Sequence, residues 1–445
     1  MLPASNLLLL SCRSPFLDDA KVYPPLANFY LKSYVERYLP DTRVIVGDDD
    51  YDVEHLAWVR DYDAVGISIM TPQRHEALRL AAAIKAASPR TTVIAGGPHV
   101  KHYWQDLARE PVFDFLVPLD GEKALVAILA GQASSRTLSS VLTREEIATQ
   151  PRPDRTSDNA IQILRRYRYL LCGRPATTLM TARGCPERCT FCEEALTAVR
   201  WSSLDSIGHQ LDDIRAAGWR AVYIFDDLFA ISLPKIQPIC QQLSKRELWY
   251  RCNAQARYFT KWGEDMAQLL ANTGCVEVAF GAESGSQRIL DNVQKRCTVE
   301  QNYQTVRYAK KYGIQVKAFI LLGLPGENAG TLAETEAFIR DSGIDDFQCA
   351  VYMPFRGTAI RQALDHGTAI DLQLRPAGSD GEITGAYGIK GGQTAYEVRT
   401  CALSAEDLRQ HRDHLVSRYR PRSHRSSWQN EDCFFDEAIS PYADV

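Results

Sequence analysis

Short apolar runs alternate with amphipathic stretches twice along this chain, and that alternation constrains the fold more than any other feature. The first series fills residues 1–140. Strands are expected at "NLLLLS" (6–11), "TRVIVGD" (42–48), "DAVGISIM" (63–70), "TTVIAGG" (91–97) and within "FDFLVPLDGEKAL" (113–125), with helices at 24–38 and 74–88. The second series starts at "TTLMTARG" (177–184) and continues through strands at 221–227, 249–255, 276–284, 316–323 and 346–352. Its helical patterns lie at 204–217, 234–247, 262–273, 286–293, 299–312 and 329–342. Strands alternating with helices predict parallel sheets covered by helices. Six βα units predict a partial (β/α)6 barrel, because a full one needs eight. In both architectures the chemistry sits beyond the carboxyl ends of the strands.

Between the two series, residues 141–174 are polar, proline-containing and weakly periodic, and read as a linker. The barrel is expected over 175–355. Residues 356–445 read as a small α+β extension. Within it, 378–398 is glycine-rich and loop-like, and "YGIKGGQTAYE" (387–397) is a candidate lid over the barrel mouth. A helix over 404–420 is signalled by Ser404 at the N-cap with Asp407 three residues on.

Composition bounds the function. The chain has 445 residues, 45% hydrophobic and 24% charged, with a net charge of −4. So small a charge makes no electrostatic case for nucleic acid or anionic membranes. No apolar run reaches the roughly 18 residues of a membrane span. "NLLLLSC" (6–12) is too short for one and lacks the flanks of a signal peptide, so a cytoplasmic location is expected. Thiols stay reduced there, and the twelve cysteines are then ligands or core residues rather than a disulfide framework.

Three of them stand out. "RGCPERCTFC" (183–192) places Cys185, Cys189 and Cys192 in the first βα loop of the second series. Spacings of three and then two residues let one loop wrap three thiolates around one iron–sulfur cluster. Zinc prefers four ligands in a closed structural site, and neither a fourth Cys nor a His lies near. Three ligands on a four-iron cluster leave one iron open to a substrate or cofactor. The alternatives are zinc and three buried core thiols.

This loop, with Phe191 before its last cysteine at the opening of a partial barrel, resembles that of the radical S-adenosylmethionine (SAM) superfamily. The resemblance implies a [4Fe-4S] cluster held by Cys185, Cys189 and Cys192, whose open iron binds SAM. Reductive cleavage then yields a 5′-deoxyadenosyl radical that abstracts hydrogen from the substrate. It also implies SAM contacts from Asp226 and Asp227 in "IFDDLF" (224–229), near the SAM amino group. Glu283, with Gly281 and Ser284, follows from "VAFGAESGSQRIL" (278–290). Arg257 is the candidate clamp for the SAM carboxylate, a geometry that suits guanidinium. Leu324, in "LLGLPGE" (321–327), lies along the adenine, mostly through backbone.

The first series resembles the cobalamin-binding-type, Rossmann-like domain that precedes many radical SAM barrels. Ser68, Thr71, Gly96, Gly97 and Glu122 are then expected around the corrin tail. The D-x-H-x-x-G loop that supplies a histidine to cobalt is absent: "SCRSPFLDDAKVYPP" (11–25) has no histidine, and the first is His55. Two readings follow, a cobalamin site without that ligand and an empty structural domain.

Cobalamin would point to methyl transfer onto carbon. An empty domain would leave the radical to act alone, as in aminoglycoside deoxygenases. The compact chain favours the second, and the reading adopted is deoxygenation of a small sugar or aminoglycoside by radical dehydration in antibiotic biosynthesis, a lyase chemistry. A cobalamin-dependent C-methyltransferase is the alternative. Either needs an external one-electron reductant such as a flavodoxin, and a dehydration ending at a ketone also needs a partner reductase. RNA or protein modification is disfavoured by the charge, and an inert scaffold by Glu283 and the open iron. Tyr352, Arg356 and Thr358, in "YMPFRGT" (352–358), are expected at the barrel mouth, the first two as catalytic candidates.

Overall fold

The computed structural model describes residues 5–12, 21–48, 51, 56–376 and 396–421. The loop at 13–20, most of the candidate lid, His55 and the chain beyond 421 lie outside the described residues. The chain forms two compact units. Among the described residues, one takes those up to Tyr169 together with Asp205–Ala217; the other takes Leu170–Leu204 and those from Gly218 on.

In the first unit, β1 (Asn6–Ser11), β2 (Arg43–Val46), β3 (Ala64–Ser68), β4 (Thr92–Gly96) and β5 (Phe115–Val117) form one sheet in the order β2-β1-β3-β4-β5. All its pairings are parallel. Both faces of β1 are buried, which is why "LLLL" is continuous rather than alternating. Leu8 and Leu10 pack with Val65, Ile67 and Val93 against the helix Arg74–Ala87, while Leu7 and Leu9 pack with Val44, Ile94 and Phe115 against the helix Gly121–Leu129. Each leucine so buried contributes roughly 2 kcal/mol. The strand order reverses between β1 and β3, and the crevice for a ligand opens there.

In the second unit, β6 (Tyr169–Leu171) joins β7 (Arg174–Leu179) through Cys172 and Gly173, both at positive φ. A two-residue ribbon follows, β8 (Ala182–Arg183) with β9 (Arg200–Trp201). Then come β10 (Ala221–Ile224), β11 (Trp249–Ala254), β12 (Cys275–Glu283), β13 (Gln315–Leu322) and β14 (Asp346–Val351). The strands β7, β10, β11, β12, β13 and β14 lie side by side in chain order and all parallel, giving the expected six-stranded open barrel. An antiparallel pair, β15 (Gln373–Pro376) with β16 (Tyr396–Arg399), and the helix Ala405–Tyr419 make the α+β extension. Ser404 caps that helix by accepting from the Asp407 N–H. No helix among the described residues is long and apolar enough to cross a membrane.

Two expectations need correction. The stretch 141–174 is not bare linker: it holds helices Arg144–Thr149 and Asp158–Leu164, capped by Thr143 and Ser157, and then β6. Both helices are under three turns, too short to display a period. The helix expected at 262–273 runs from Ala256 to Asn272, with Gly263 at φ 52° interrupting it and hiding its first turns.

The amino-terminal half of the barrel sheet carries buried charges paired strand to strand. Arg251 meets Glu277 at 3.2 Å, and Lys317 meets Asp346 at 2.7 Å, each opposite its partner in register. Asp346 also pairs with Arg420 at 3.2 Å. Removing one member of such a pair strands a buried charge. Asp346→Ala is expected to lower unfolding stability by about 3–5 kcal/mol, read as a reduced urea midpoint at unchanged slope; a loss under 1 kcal/mol would show the pair to be inert.

Candidate functional site

The carboxyl ends of the barrel strands carry the cysteine loop. The β8–β9 ribbon closes its base, pairing Ala182 with Trp201 and Arg183 with Arg200. Gly184 opens it at φ 99°, where a Cβ would lie 2.4 Å from the Ala198 carbonyl oxygen. Only glycine lets the two arms approach so closely. Thr197 braces the interior: its Oγ1 accepts from the Cys185 N–H at 2.7 Å and donates to the Glu194 carbonyl at 2.8 Å. The far side is tied down by the Thr190 N–H to the Val293 carbonyl (3.0 Å) and the Ile360 N–H to the Thr190 carbonyl (3.1 Å).

The thiols sit in poor solvent. Cys189 is buried, and Cys185 and Cys192 are half-buried. Burial pushes Cys189 up to about 12 and Cys192 up to about 11, and raises Cys185. Cys185 and Cys192 add to the rise at Cys189, so the three stand within electrostatic reach of one another. Among the described residues, no group of three His, Cys, Asp or Glu side chains is gathered as a single metal ion would require. Thiolates that ligate separate irons of one cluster stand farther apart than donors sharing one ion. The donor set, three thiols on one braced loop, fits a cluster with one iron unligated by protein.

Neighbouring carboxylates divide by burial. Asp226 is fully enclosed: it accepts from the Thr181 N–H (2.6 Å), the Ala182 N–H (3.1 Å) and the Thr181 hydroxyl. Burial pushes its carboxyl up to about 7 against those donors. The oxygens of Asp226, for which the resemblance implies a contact with the SAM amino group, hold the turn from β7 into β8. Asp227 accepts from the Gly184 N–H at 2.8 Å and so fixes the start of the cysteine loop. Ser284 is likewise turned inward, bonded to the Thr335 hydroxyl (3.0 Å) and the Ser286 N–H (3.1 Å).

Glu283 ends β12 at φ 60°, a left-handed conformation rare for its type. Its Oε1 accepts from Lys295 Nζ at 2.7 Å, and both side chains are buried. Burial opposes the lysine's charge, but the Glu283 carboxylate holds it protonated. A Cβ on Gly281 would fall 2.1 Å from Glu283 Oε1 and 2.7 Å from Lys295 Nζ, so the pair occupies the space that Gly281 leaves. Lys295 has no motif around it in the sequence; only its return to the end of β12 reveals it.

Arg257 stands 3.7 Å from Glu187, which lies between the first two cysteines, and Tyr258 donates to the same carboxylate oxygen at 2.5 Å. Sequence reading missed Glu187 and Tyr258, since nothing local pairs residues 71 positions apart. Leu324 is buried in apolar surroundings with Ile289, Val293, Tyr352 and Ile360. Next to it, the Gly323 N–H donates to Glu327, whose other oxygen is buried without a hydrogen-bond partner. Tyr352 and Thr358 do not open into a mouth. Tyr352 is 3% exposed, within that apolar cluster, and Thr358 is buried, capping the helix Ala359–Asp365. Arg356 is half-buried.

In the first unit the structure draws Ser68, Thr71, Gly96 and Gly97 together at the ends of β3 and β4. Ser68 pairs in register with Gly96, and the Thr71 hydroxyl lies 3.3 Å from His99 Nδ1. Gly97 sits at φ 94°, where a Cβ would meet the Ile69 N at 2.8 Å. Met70 and Leu119, beyond the ends of β3 and β5, are 53% and 44% exposed. This edge of bare backbone and exposed apolar side chains fits a large, flat, partly apolar ligand. Glu122 is buried in its helix, where its charge reaches Tyr34.

Comparison with known proteins agrees with this geometry. Residues 179–339 match the radical SAM superfamily and residues 20–129 match the B12 binding domain. An uncharacterized methyltransferase of Pyrococcus horikoshii is 29% identical over 360 residues, covering 76% of this chain and 77% of its own. The anaerobic magnesium-protoporphyrin IX monomethyl ester cyclase of Rubrivivax gelatinosus is 26% identical over 68% of this chain, which spans 58% of that enzyme. The radical SAM methyltransferase TsrM of Kitasatospora setae shares the fold, with a TM-score of 0.70 and 18% identity over 84% of this chain and 81% of its own. These likenesses overturn the deoxygenation expected from sequence: the relatives are named for methyl transfer and cyclisation, not dehydration. The compact chain misled, since TsrM has nearly the same extent.

Two outcomes follow from the geometry. Gly281→Ala drives a methyl group into the Glu283–Lys295 pair and is expected to lower stability by about 3 kcal/mol and to weaken SAM binding by calorimetry; wild-type values for both would show the pair adapts. Burial pushes Glu327 up to about 7 from a model-peptide value of 4.5, against the pull of the Gly323 and Leu324 N–H groups. Between those values the folded chain keeps a proton that the unfolded chain has lost, so stability falls as pH rises through that window. Glu327→Gln is neutral in both states and is expected to flatten that slope in urea titrations from pH 4.5 to 7.5; an unaltered slope would contradict it.

Proposed function

We propose that this chain, which belongs to the radical SAM superfamily in the branch carrying an N-terminal B12-binding domain, is a cobalamin-using methyltransferase acting on carbon in a small molecule. One observation carries the reading. The same chain holds a braced three-thiol loop at a barrel mouth and, in its other unit, a glycine-lined sheet edge fit for a corrin. The names of its relatives support it.

When bound, the cluster supplies the electron that cleaves SAM and cobalamin supplies a carrier for the methyl group. The chain's own residues bind and orient. Cys185, Cys189 and Cys192 would hold the cluster. Asp227 and Thr197 keep their loop in register. Lys295, beside Cys189 and neutralised by Glu283, offers a buried ammonium where a carboxylate such as that of SAM would need one. Asp226, bonded to Thr181 and Ala182, keeps the turn from β7 into β8 from shifting. In the first unit, Gly96 and Gly97 expose backbone to the corrin, with Ser68 and Thr71 as hydroxyl partners. An external one-electron reductant completes the system.

The test is anaerobic reconstitution with iron, sulfide, SAM and hydroxocobalamin. Cobalamin is expected to bind stoichiometrically by absorbance, and Gly97→Val is expected to abolish that binding while leaving iron content unchanged. Turnover with a candidate substrate should give a product heavier by one CH2 unit. A product lighter by the elements of water, formed without cobalamin, would sink the reading.

A further inference from the structure

A buried histidine adjoins the sheet edge read as the corrin site. His99 is 3% exposed and lies at the start of the helix Pro98–Leu107, two residues after Gly97. Burying an imidazole is unfavourable unless its polar atoms are paired, so a side chain that only filled space there would be apolar. His99 is instead held at three points. Its backbone N–H donates to the Ile69 carbonyl at 2.9 Å, and the Ile69 N–H donates to the Gly96 carbonyl at 2.9 Å, which clips the end of β3 to the end of β4. Its ring lies flat on that of Tyr103, with centroids 4.6 Å apart and planes inclined by 17°. The helix departs from regular dihedrals at Tyr103 itself. The third contact runs from His99 Nδ1 to the Thr71 hydroxyl, at 3.3 Å.

Thr71 opens the short turn Thr71–Gln73 beyond β3 and is half-buried. The other end of that turn is fixed as well. The Gln73 side chain accepts from the Met70 N–H at 2.9 Å and donates to the Cys12 carbonyl, just beyond β1, at 2.6 Å. That bond joins β3 to β1, where the strand order reverses. Among the described residues, His99 is the one hydrogen-bond partner of the Thr71 hydroxyl. A hydroxyl is one donor and two acceptors, so a single bond leaves capacity for a ligand. Left alone, the side chain would turn among its staggered rotamers; the bond to a fixed ring selects one. Where Nδ1 accepts the hydroxyl proton, the oxygen's lone pairs remain for an amide N–H. Where Nδ1 carries its own proton and donates it, the hydroxyl proton remains for an amide carbonyl. The amide side chains around a corrin offer both.

We propose that His99 is a positioning residue of the corrin site, fixing the Thr71 hydroxyl in the direction that receives an amide of the cofactor. The imidazole acts through Thr71 and not on the cofactor itself. A hydroxyl already held in place spares binding the cost of ordering it. The inference rests on the reading of this edge as a corrin site and not on methyl transfer, so a protein that failed to methylate would leave it testable.

The experiment is a titration of the full-length, cluster-reconstituted protein with hydroxocobalamin, read by visible absorbance, as a double-mutant cycle. His99→Phe keeps a flat ring for Tyr103 and removes the nitrogen. It is expected to weaken binding about fivefold, the weight of one ordinary hydrogen bond, with iron content unchanged. In a Thr71→Val background the same exchange is expected to cost nothing further, because the hydroxyl it acts through is gone. A histidine that merely supports the fold would lower affinity equally in both backgrounds, and that result overturns the proposal. So does unchanged affinity in His99→Phe alone. If phenylalanine is not accommodated, His99→Leu runs the same cycle with the same expectations. Failure of the wild type to bind hydroxocobalamin would sink the corrin reading, and this inference with it.

Discussion

Three thiols buried side by side resist ionisation, and burial alone pushes Cys189 up to about 12 and Cys192 up to about 11. They can become ligands only if positive iron compensates the charge that water no longer does. The loop therefore has to be held in place before the metal arrives, by bonds that do not use the sulfurs. It is: Asp227 holds Gly184, Thr197 holds Cys185, and Val293 and Ile360 hold Thr190. Thr197 belongs to the loop itself, while Asp227, Val293 and Ile360 reach it from different parts of the barrel, so the loop's geometry depends on the sheet being in register.

Charge is managed in two places in that sheet. Near the strands' carboxyl ends, Glu283 and Lys295 form a buried pair whose cation also faces Cys189. Toward their amino ends, Arg251 with Glu277 and Lys317 with Asp346 stitch neighbouring strands. Buried pairs contribute little net stability but penalise any slip that separates them. In a barrel with no closing strand among the described residues, that penalty is useful: a one-residue slip turns every side chain to the other face.

Much of this was legible in the sequence. The strands β3, β4, β11 and β14 fall within their expected segments, and β12 and β13 each start one residue early, because buried parallel strands are continuous apolar runs. The cysteine loop was legible because its spacing is local. What stayed hidden was whatever depends on chain return. Asp226 and Asp227 are adjacent and chemically alike, yet one is sealed against Thr181 and the other reaches Gly184. Tyr352 sat at an expected strand end, and only packing shows it turned into the apolar wall. Lys295 lacked a motif. The choice of reaction was misjudged for a different reason: the compactness of the chain was given more weight than the glycine-lined edge beyond β4.

The chemistry depends on one iron that no side chain ligates. Electron paramagnetic resonance of the reduced, reconstituted protein with and without SAM interrogates that iron directly. Added SAM is predicted to shift the g-values of the cluster signal, and exchange of any of the three cysteines for alanine should remove the signal. A spectrum indifferent to SAM, or iron bound without a cluster signal, would contradict the account.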